Sequence, residues 1–453
     1  MISIQLVHTQ DKDTLSFIKS KRMSDEDLKK KQEGTFVTGL PEISSDPLTG
    51  FGVGVSANIF WNGQKDNDLF EYTPYLRSLQ LDASYFTSNA RELTLSLDIP
   101  YINASRWRLI IEAGYQQNPT NLYFGITDNT LNNLSFPNDK SGKTYKTYRE
   151  YESAKNQIRP GVEGEAAFVT DDLINTFKET EYLLNIIGEY SIGSGEWRLL
   201  LGYEVQDIRY NTFQGTKTDA IDPNTNKSKS TVNGKSLLED NLVQSRIIGL
   251  SGGWQSIIQA AIIYDTRDFE PDPTSGHYFE VTNEFSNGII GSQYNFDKLF
   301  IQYKAFQKLP LGPRTILAAR VGYGNTLGSK APFFEYIDQW SPDGTVKALG
   351  GGRSLRGYLS NRFLARNVIF MNAELRVRLL ETEFLNQQFD FGLAPFFDMG
   401  TVGNTLSRLN LDRVKYSYGC GLRIAWNQST IISLDYGISV ENNLFYFGIG
   451  QIF

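Results

Sequence analysis

A chain of 453 residues whose acids outnumber its bases, 51 to 44, for a formal net charge of -7, is not built to neutralise a phosphate backbone, so nucleic acid is excluded as a partner. The single cysteine, Cys420, excludes an intrachain disulfide framework. No run approaches the ~18 apolar residues of a transmembrane helix, which leaves a β-barrel as the remaining way to cross a membrane.

In chain order, residues 1–38 read as a charged, solvated tail. Its start, "MISIQLVHTQ", is mildly apolar and has no basic residue before Lys12; it is either a signal-peptide remnant covering residues 1–10 or a chance apolar start. Further on, Ser24 to Asp27 are patterned as a helix cap. From residue 39 to 453 no linker divides the chain, which reads as one domain. "FGVGVSANIF" sets Phe51, Val53, Val55, Ala57 and Ile59 on one face, against Gly52, Gly54, Ser56 and Asn58, and is taken as the first strand. "LQLDASYF", "ELTLSLDI", "WRLLLGYEVQ", "FIQYKAF", "NAELRVRL" and "SLDYGI" alternate in the same way. Their polar faces carry full charges, among them Glu204, Lys304, Glu374, Arg376 and Asp435. Alternation alone does not separate a sandwich from a barrel.

The connections do. About sixteen candidate strands are joined by short turns, "TSNA", "QQNPT", "GSGE", "KLPLGPR" and "NQST", and by long polar insertions near residues 128–180, 208–256 and 325–366. With the first strand at Gly50, every long insertion falls on one side. That asymmetry predicts an all-β fold: a transmembrane antiparallel barrel of about sixteen strands, with long extracellular loops, short periplasmic turns and both chain ends on the short-turn side. The chain closes on "LFYFGIGQIF", with Phe445, Phe447, Ile449 and Phe453 on one parity and Gly448 between them.

Catalytic and cofactor chemistry finds no support. The only histidines are His8 and His277, too few for a histidine-based triad or a zinc cluster. "GRSLRG" lacks the G-x-S-x-G of a nucleophile elbow. The glycines of "GVGV" and "GIG" lie inside strands with no following helix, so they are not phosphate loops.

One stretch is neither helix nor ordinary strand: "GGGRSLRGY", Gly350 to Tyr358. Together with "NAELRVRL" and "APFFDMGTV" it resembles the BamA-type superfamily of outer-membrane assembly and translocation barrels, the bacterial surface antigen family. In that family a hydrophobic-Arg-Gly-aromatic loop tip folds back into the lumen, and its arginine meets acids on the next two strands. The matching residues are Leu355, Arg356, Gly357 and Tyr358, with Glu374 and Asp398 as the acids. "YDTRDFEPDPTSGHYFEV" resembles the family's periplasmic hairpin turn through Asp265, Arg267, Asp268, Pro273 and Gly276. The C-terminal strand is similar to the signal by which assembly machinery recognises outer-membrane barrels. Physical chemistry agrees on the arginine: five donors in a rigid fork and a permanent charge call for carboxylates. Both acids fall on the lumen-facing parity of their strands. Arg353 has no such counterpart.

The resemblance implies residence in the outer membrane of a Gram-negative bacterium, contact with membrane lipids and lipopolysaccharide, and a polypeptide substrate. Protein-moving members carry periplasmic POTRA domains ahead of the barrel, and the charged segment of about forty residues ahead of the barrel is too short for one. The expectation is therefore a barrel-only member working with a separate partner, moving polypeptides through a seam between the first and last strands. A solute pore, or a structural barrel subunit of an outer-membrane complex, stays open as the other reading. A homodimer or larger complex stands beside a monomer.

Overall fold

Strict alternation makes each ribbon apolar on one face and polar on the other, and short connections pair neighbours antiparallel. The computed structural model describes residues 17–453 apart from 19–21, 24, 47, 163–165, 172, 245, 312–313, 329–330, 385–386 and 427–429. It contains one 16-stranded antiparallel sheet in which each strand pairs with its neighbours in sequence. The first eight strands are β1 (Gly34–Asp46), β2 (Gly50–Gly63), β3 (Arg77–Phe86), β4 (Arg91–Ile99), β5 (Trp107–Leu122), β6 (Thr176–Ile192), β7 (Trp197–Thr212) and β8 (Gly253–Asp265). The second eight are β9 (Gly276–Ser286), β10 (Phe296–Leu309), β11 (Thr315–Leu327), β12 (Asn367–Phe384), β13 (Gln387–Gly403), β14 (Lys415–Trp426), β15 (Thr430–Ile438) and β16 (Asn443–Ile449). The sheet curls until β1 and β16 have Cα atoms within 8 Å of one another. Among the described residues no ladder joins these two edges.

Burial is inverted relative to a water-soluble domain. Leu93, Leu184, Leu201, Ile262, Val321 and Leu434 are exposed on the outside, whereas Glu280, Lys304, Arg320 and Asp398 are buried inside. An apolar outer band around a polar lumen is what lipid on one side and water on the other select. Aromatic pairs edge the band: Trp107 with Tyr190 (4.9 Å) and Trp197 with Tyr264 (4.8 Å) toward the short turns, and Tyr115 with Tyr182 (5.0 Å) toward the long loops. From Trp107 to Tyr115 the strand rises roughly 26 Å, at about 3.3 Å per residue, close to the height of a bilayer's apolar band.

The long connections 123–175, 213–252 and 328–366 all leave the same side of the barrel, and both described chain ends lie on the other. Two expectations about how the strands reach this arrangement need correction. The sheet begins at Gly34, inside the segment read as tail, and β2 is the run that starts at Gly50. β1 was missed because the apolar residues of Thr35 to Ile43, Phe36, Val37, Leu40 and Ile43, do not alternate and are mixed with Thr, Gly, Pro and Glu, and an edge strand tolerates Pro. "QQNPT" is not a turn; it continues β5 through a register irregularity between Asn118 and Asn121. The missed strand and the extra turn cancel, so the long loops still share a side. "TSNA", however, lies on the long-loop side.

The start of the chain is also less solvated than its charge suggests. Phe17 and Ile18 are buried with Leu69, packed by Tyr72 and Tyr101 from short-turn-side connections. Lys31 Nζ donates to the carbonyls of Phe70 and Thr73 at 2.5 and 2.7 Å. Two adjacent apolar residues amid charges found an apolar surface to cover. The helix after the expected cap spans Asp25–Lys30. Ser24 itself, and the signal-remnant segment 1–10, lie outside the described residues.

Candidate functional site

The connection 328–366 turns back into the barrel. Gly350 (φ 122°), Gly351 (φ 87°) and Gly357 (φ 89°) occupy the left-handed region, open to glycine at little cost. Gly357 has a further constraint: an added Cβ would lie 3.0 Å from backbone atoms of Ile438 and Ser439. The strand returns the constraint at Gly437, where a Cβ would meet Gly357 N at 2.7 Å. Two glycines facing each other thus let the loop tip pass backbone to backbone across the end of β15. Leu355 and Tyr358 fill an apolar cluster with Leu349, Phe363 and Phe370.

This path delivers Arg356 to a position with 0% exposure. Its Nε and Nη2 donate to Asp398 at 2.7 and 2.8 Å, and Nη1 donates to Glu374 at 2.8 Å. Its guanidinium carbon sits 3.3 Å from the centre of the Phe396 ring. Glu374 on β12 also accepts from Arg376 (3.0 Å) and Arg423 (3.1 Å). Asp435 on β15 accepts from Arg423 at 2.7 Å and from Arg356 at 3.4 Å. Three carboxylates and three guanidinium groups therefore balance, the condition under which buried charge is tolerable. Arg423, Asp435 and Arg376 were visible in the sequence as charges on polar strand faces, but nothing local assigned them to this cluster. Arg353 is exposed and reaches the Thr345 carbonyl at 3.3 Å.

Other ties of the loop had no recognisable sequence signal. Arg362 donates to both oxygens of Glu441 (2.8 and 3.0 Å) and to the carbonyls of Thr130 and Asn132. Asn372 Nδ2 links the Ser354 carbonyl and Asp398, each at 2.8 Å. Tyr446 Oη, on β16, accepts from Gly357 N at 2.8 Å and donates to the Tyr358 carbonyl at 3.1 Å. The last strand of the barrel thus holds the loop tip.

The turn 266–275 closes the other end. Asp268 accepts backbone bonds from Thr274 (2.9 Å) and Ser275 (3.1 Å). Pro273 is buried, and Gly276 (φ 104°) lies where a Cβ would strike the Thr266 carbonyl. Asp265 and Arg267 do more than shape the turn. Arg267 Nε donates to Asp265 at 3.0 Å, and Nη2 lies 3.0 Å from Asp343 of the long loop. Lys304 also pairs with Asp343. Burial pushes the Asp343 carboxyl up, but Arg267 and Lys304 outweigh it and hold it down to about 2. The long loop and the opposite turn therefore meet inside the lumen.

The closing strand departs from expectation at its end. Phe445 faces outward and is 67% exposed. β16 stops at Ile449, and Gly450 adopts φ 93°. Phe453 then folds inward with Phe306 and Ala318, flanked by Arg320 and Arg376, and its carbonyl accepts from Arg376 at 2.8 Å. Phe453 therefore does not share the outward face of Phe445; the left-handed residue at Gly450 breaks the alternation. Phe447 and Gly448 keep their places in the ladder, opposite Leu434 and Ser433.

Comparison with known proteins decides the family. The Omp85 superfamily domain matches residues 76–453. The chain belongs to the Omp85 superfamily. As an Omp85 member it resides in the outer membrane of a Gram-negative bacterium, with the long loops outside and the short turns in the periplasm. A domain of unknown function (DUF5982) matches residues 13–76, so β1 and β2 come from that segment and β3 to β16 from the Omp85 match. Outer membrane protein assembly factor BamA of Nitratidesulfovibrio vulgaris is 27% identical over 218 residues, 44% of this chain and 26% of that protein. The chain thus spans about a quarter of this curated relative. CdiB from Escherichia coli shares the fold, with a TM-score of 0.52 at 9% identity over 92% of this chain and 62% of that one. BamA from Haemophilus ducreyi lacking POTRA domains 1–3 aligns at a TM-score of 0.46 and 13% identity over 93% and 70% of the two chains.

Proposed function

We propose that this Omp85 barrel inserts polypeptides into the outer membrane or moves them across it, through the line where β1 meets β16, with a separate partner protein delivering the substrate. The observation that carries the reading is that β1 and β16 come within 8 Å of each other with no ladder between them among the described residues. Strand edges offer rows of backbone donors and acceptors, which are costly to leave bare in lipid and are met by adding a strand. A substrate strand can supply that pairing. Its chemistry is then an extended, amphipathic β-segment, as the relative's name, an assembly factor, also suggests.

In this reading Arg356, with Asp398 and Glu374, is a latch that keeps the loop 328–366 in the lumen. Leu355 and Tyr358 seat it, and Gly357 lets it pass β15. The latch keeps solutes out while the seam does its work. A solute pore fits less well, because the Asp343–Arg267 contact spans the path between outer loop and periplasmic turn.

The seam is tested with cysteine pairs scanned along β1 and β16 in a Cys420→Ser background, read as the outer-membrane proteome of cells that depend on the variant. Locking the seam should deplete a set of outer-membrane or surface proteins as fully as deletion does, with recovery under reductant. Normal levels with the seam fully crosslinked would overturn the reading and leave a pore or a structural subunit. Crosslinking and pull-down from intact outer membranes under the same conditions identify a partner or a second copy.

A further inference from the structure

Between β4–β7 and the loop 328–366 the lumen holds a chamber of about 470 Å³, separate from the Arg356 cluster. Eight carboxyl groups and three basic side chains line it, a formal excess of five acids over bases. Lys298 is already taken, lying 3.0, 3.1 and 2.8 Å from Glu284, Glu335 and Asp338. Among the described residues, Glu92, Glu112, Glu179, Glu181 and Glu204 have no cation within 4.0 Å. Three of them have amide partners: Gln116 Nε2 bridges Glu179 and Glu181, while Gln206, Gln259 and Asn185 donate to Glu204.

A second observation points the same way without depending on charge. Asn185, 3% exposed, lines the chamber, and its Oδ1 has no partner among the described residues. Its orientation is set by its neighbours. Gln259 Nε2 donates to Glu204 at 3.1 Å, so Gln259 Oε1 faces Asn185 and must meet the Nδ2 at 3.0 Å. What remains on the chamber side is a bare acceptor, and buried acceptors call for a donor. Carboxylates and amide oxygen alike therefore ask for a donor-rich cation. Among the described residues no three ligands converge as a metal ion requires. Acceptors spread over a chamber of this size suit separated ammonium groups instead.

We propose that the chamber binds a linear polyamine, with Glu181 and Glu204 receiving its ammonium groups and Asn185 Oδ1 accepting an intervening N–H. The site does not depend on how polypeptides are moved, so it stands or falls separately from the seam. The test is calorimetry on the full chain in detergent, at fixed ionic strength, with spermidine, Mg²⁺ and tetralysine as probes. Variants are read only where heat-modifiable gel migration shows a folded barrel. Spermidine should bind saturably, and Mg²⁺ at least about tenfold more weakly. Glu181→Gln should weaken spermidine about tenfold, the loss of one charged hydrogen bond. Thr94→Lys, which installs an ammonium on the chamber wall, should abolish binding, while Glu152→Gln on an outer loop should change nothing. If tetralysine binds more tightly than spermidine and is lost in the same variants, the ammonium chemistry holds and its source is a polypeptide. Equal binding of Mg²⁺ and spermidine, or binding of either amine indifferent to Glu181→Gln and Thr94→Lys, would overturn the proposal.

Discussion

Replacing Arg356 by alanine tests whether the loop is held by charge or only by packing. The variant removes two bonds to Asp398, at 2.7 and 2.8 Å, one to Glu374 at 2.8 Å and a longer one to Asp435 at 3.4 Å. The two acids are left in different positions. Glu374 keeps Arg376 and Arg423, so its charge stays compensated. Asp398 keeps only Asn372 as a side-chain partner among the described residues, and it has 0% exposure. An uncompensated buried charge of this kind costs about 3–5 kcal/mol, and Phe396 loses a cation–π contact of roughly 1 kcal/mol. Water entering the vacated space lowers the sum, so about 3 kcal/mol is expected. Two measurements read it: urea unfolding of the lipid-reconstituted barrel followed by heat-modifiable migration, and single-channel conductance, which should rise as the loop loosens. Asp398→Asn breaks the same pair from the other side, and the double variant should be no worse than the poorer single. Arg353→Ala should stay within about 0.5 kcal/mol of the parent. Simple addition of the two single effects, or an Arg353→Ala loss as large as that of Arg356→Ala, would show that the cluster is not a latch.

Two further outcomes follow from the lumen. Asp343→Asn should free the outer loop from the periplasmic turn and raise conductance. The folded carboxyl lies near 2, against an ordinary value of 3.8, so this contact's contribution, at most about 2 kcal/mol, is complete above pH ~4 and lost as pH falls through about 2; acid titration of unfolding should therefore show a step in the parent that Asp343→Asn lacks. Gly437→Ala should displace the loop tip, because the added Cβ meets Gly357 N at 2.7 Å. A stability loss of about 1–3 kcal/mol with faster proteolysis of the loop is expected, whereas Gly39→Ala, with nothing within 4 Å, should be silent.

The barrel was legible because its signal is periodic. Alternation in "WRLLLGYEVQ" survives single-residue errors, and the long insertions sort themselves by side. Where the period breaks, the reading failed. β1 carries Gly39 and Pro41 and little apolar alternation, and "QQNPT" looks like a turn although the ladder runs past it with an irregularity. Phe453 obeys the parity of β16 in sequence, but the backbone turns at Gly450 and places it elsewhere. The acids facing Arg356 could be named because the loop and the two strands after it resemble a family motif, and the lumen-facing parity of Glu374 and Asp398 agreed with it. Tyr446, Arg362 and Asp343 could not: their partners lie 89, 79 and 76 residues away, joined only by the closing of the barrel.

That closing makes the loop and the seam one mechanical unit, and Tyr446 is where they touch. Among the described residues no ladder joins β16 to β1, while the Tyr446 hydroxyl of β16 grips the loop tip at both Gly357 N and the Tyr358 carbonyl. In the proposed latch reading, a loop held by Arg356 restrains β16 as well. Tyr446→Phe deletes only the hydroxyl and leaves the ring against Gly352. The Tyr358 carbonyl keeps Gly351 N at 2.9 Å, but the stranded Gly357 N–H should cost about 1–3 kcal/mol, enough to raise the open population of the loop roughly tenfold. Loop proteolysis should accelerate by that factor, and the yield of a β1–β16 cysteine crosslink should fall in the same sample. Phe445→Ala, which strips a lipid-facing ring from the same strand, should leave the loop protected. If Tyr446→Phe loosens the loop while the seam crosslink forms as before, the two move independently, and β16 is held by something other than the loop.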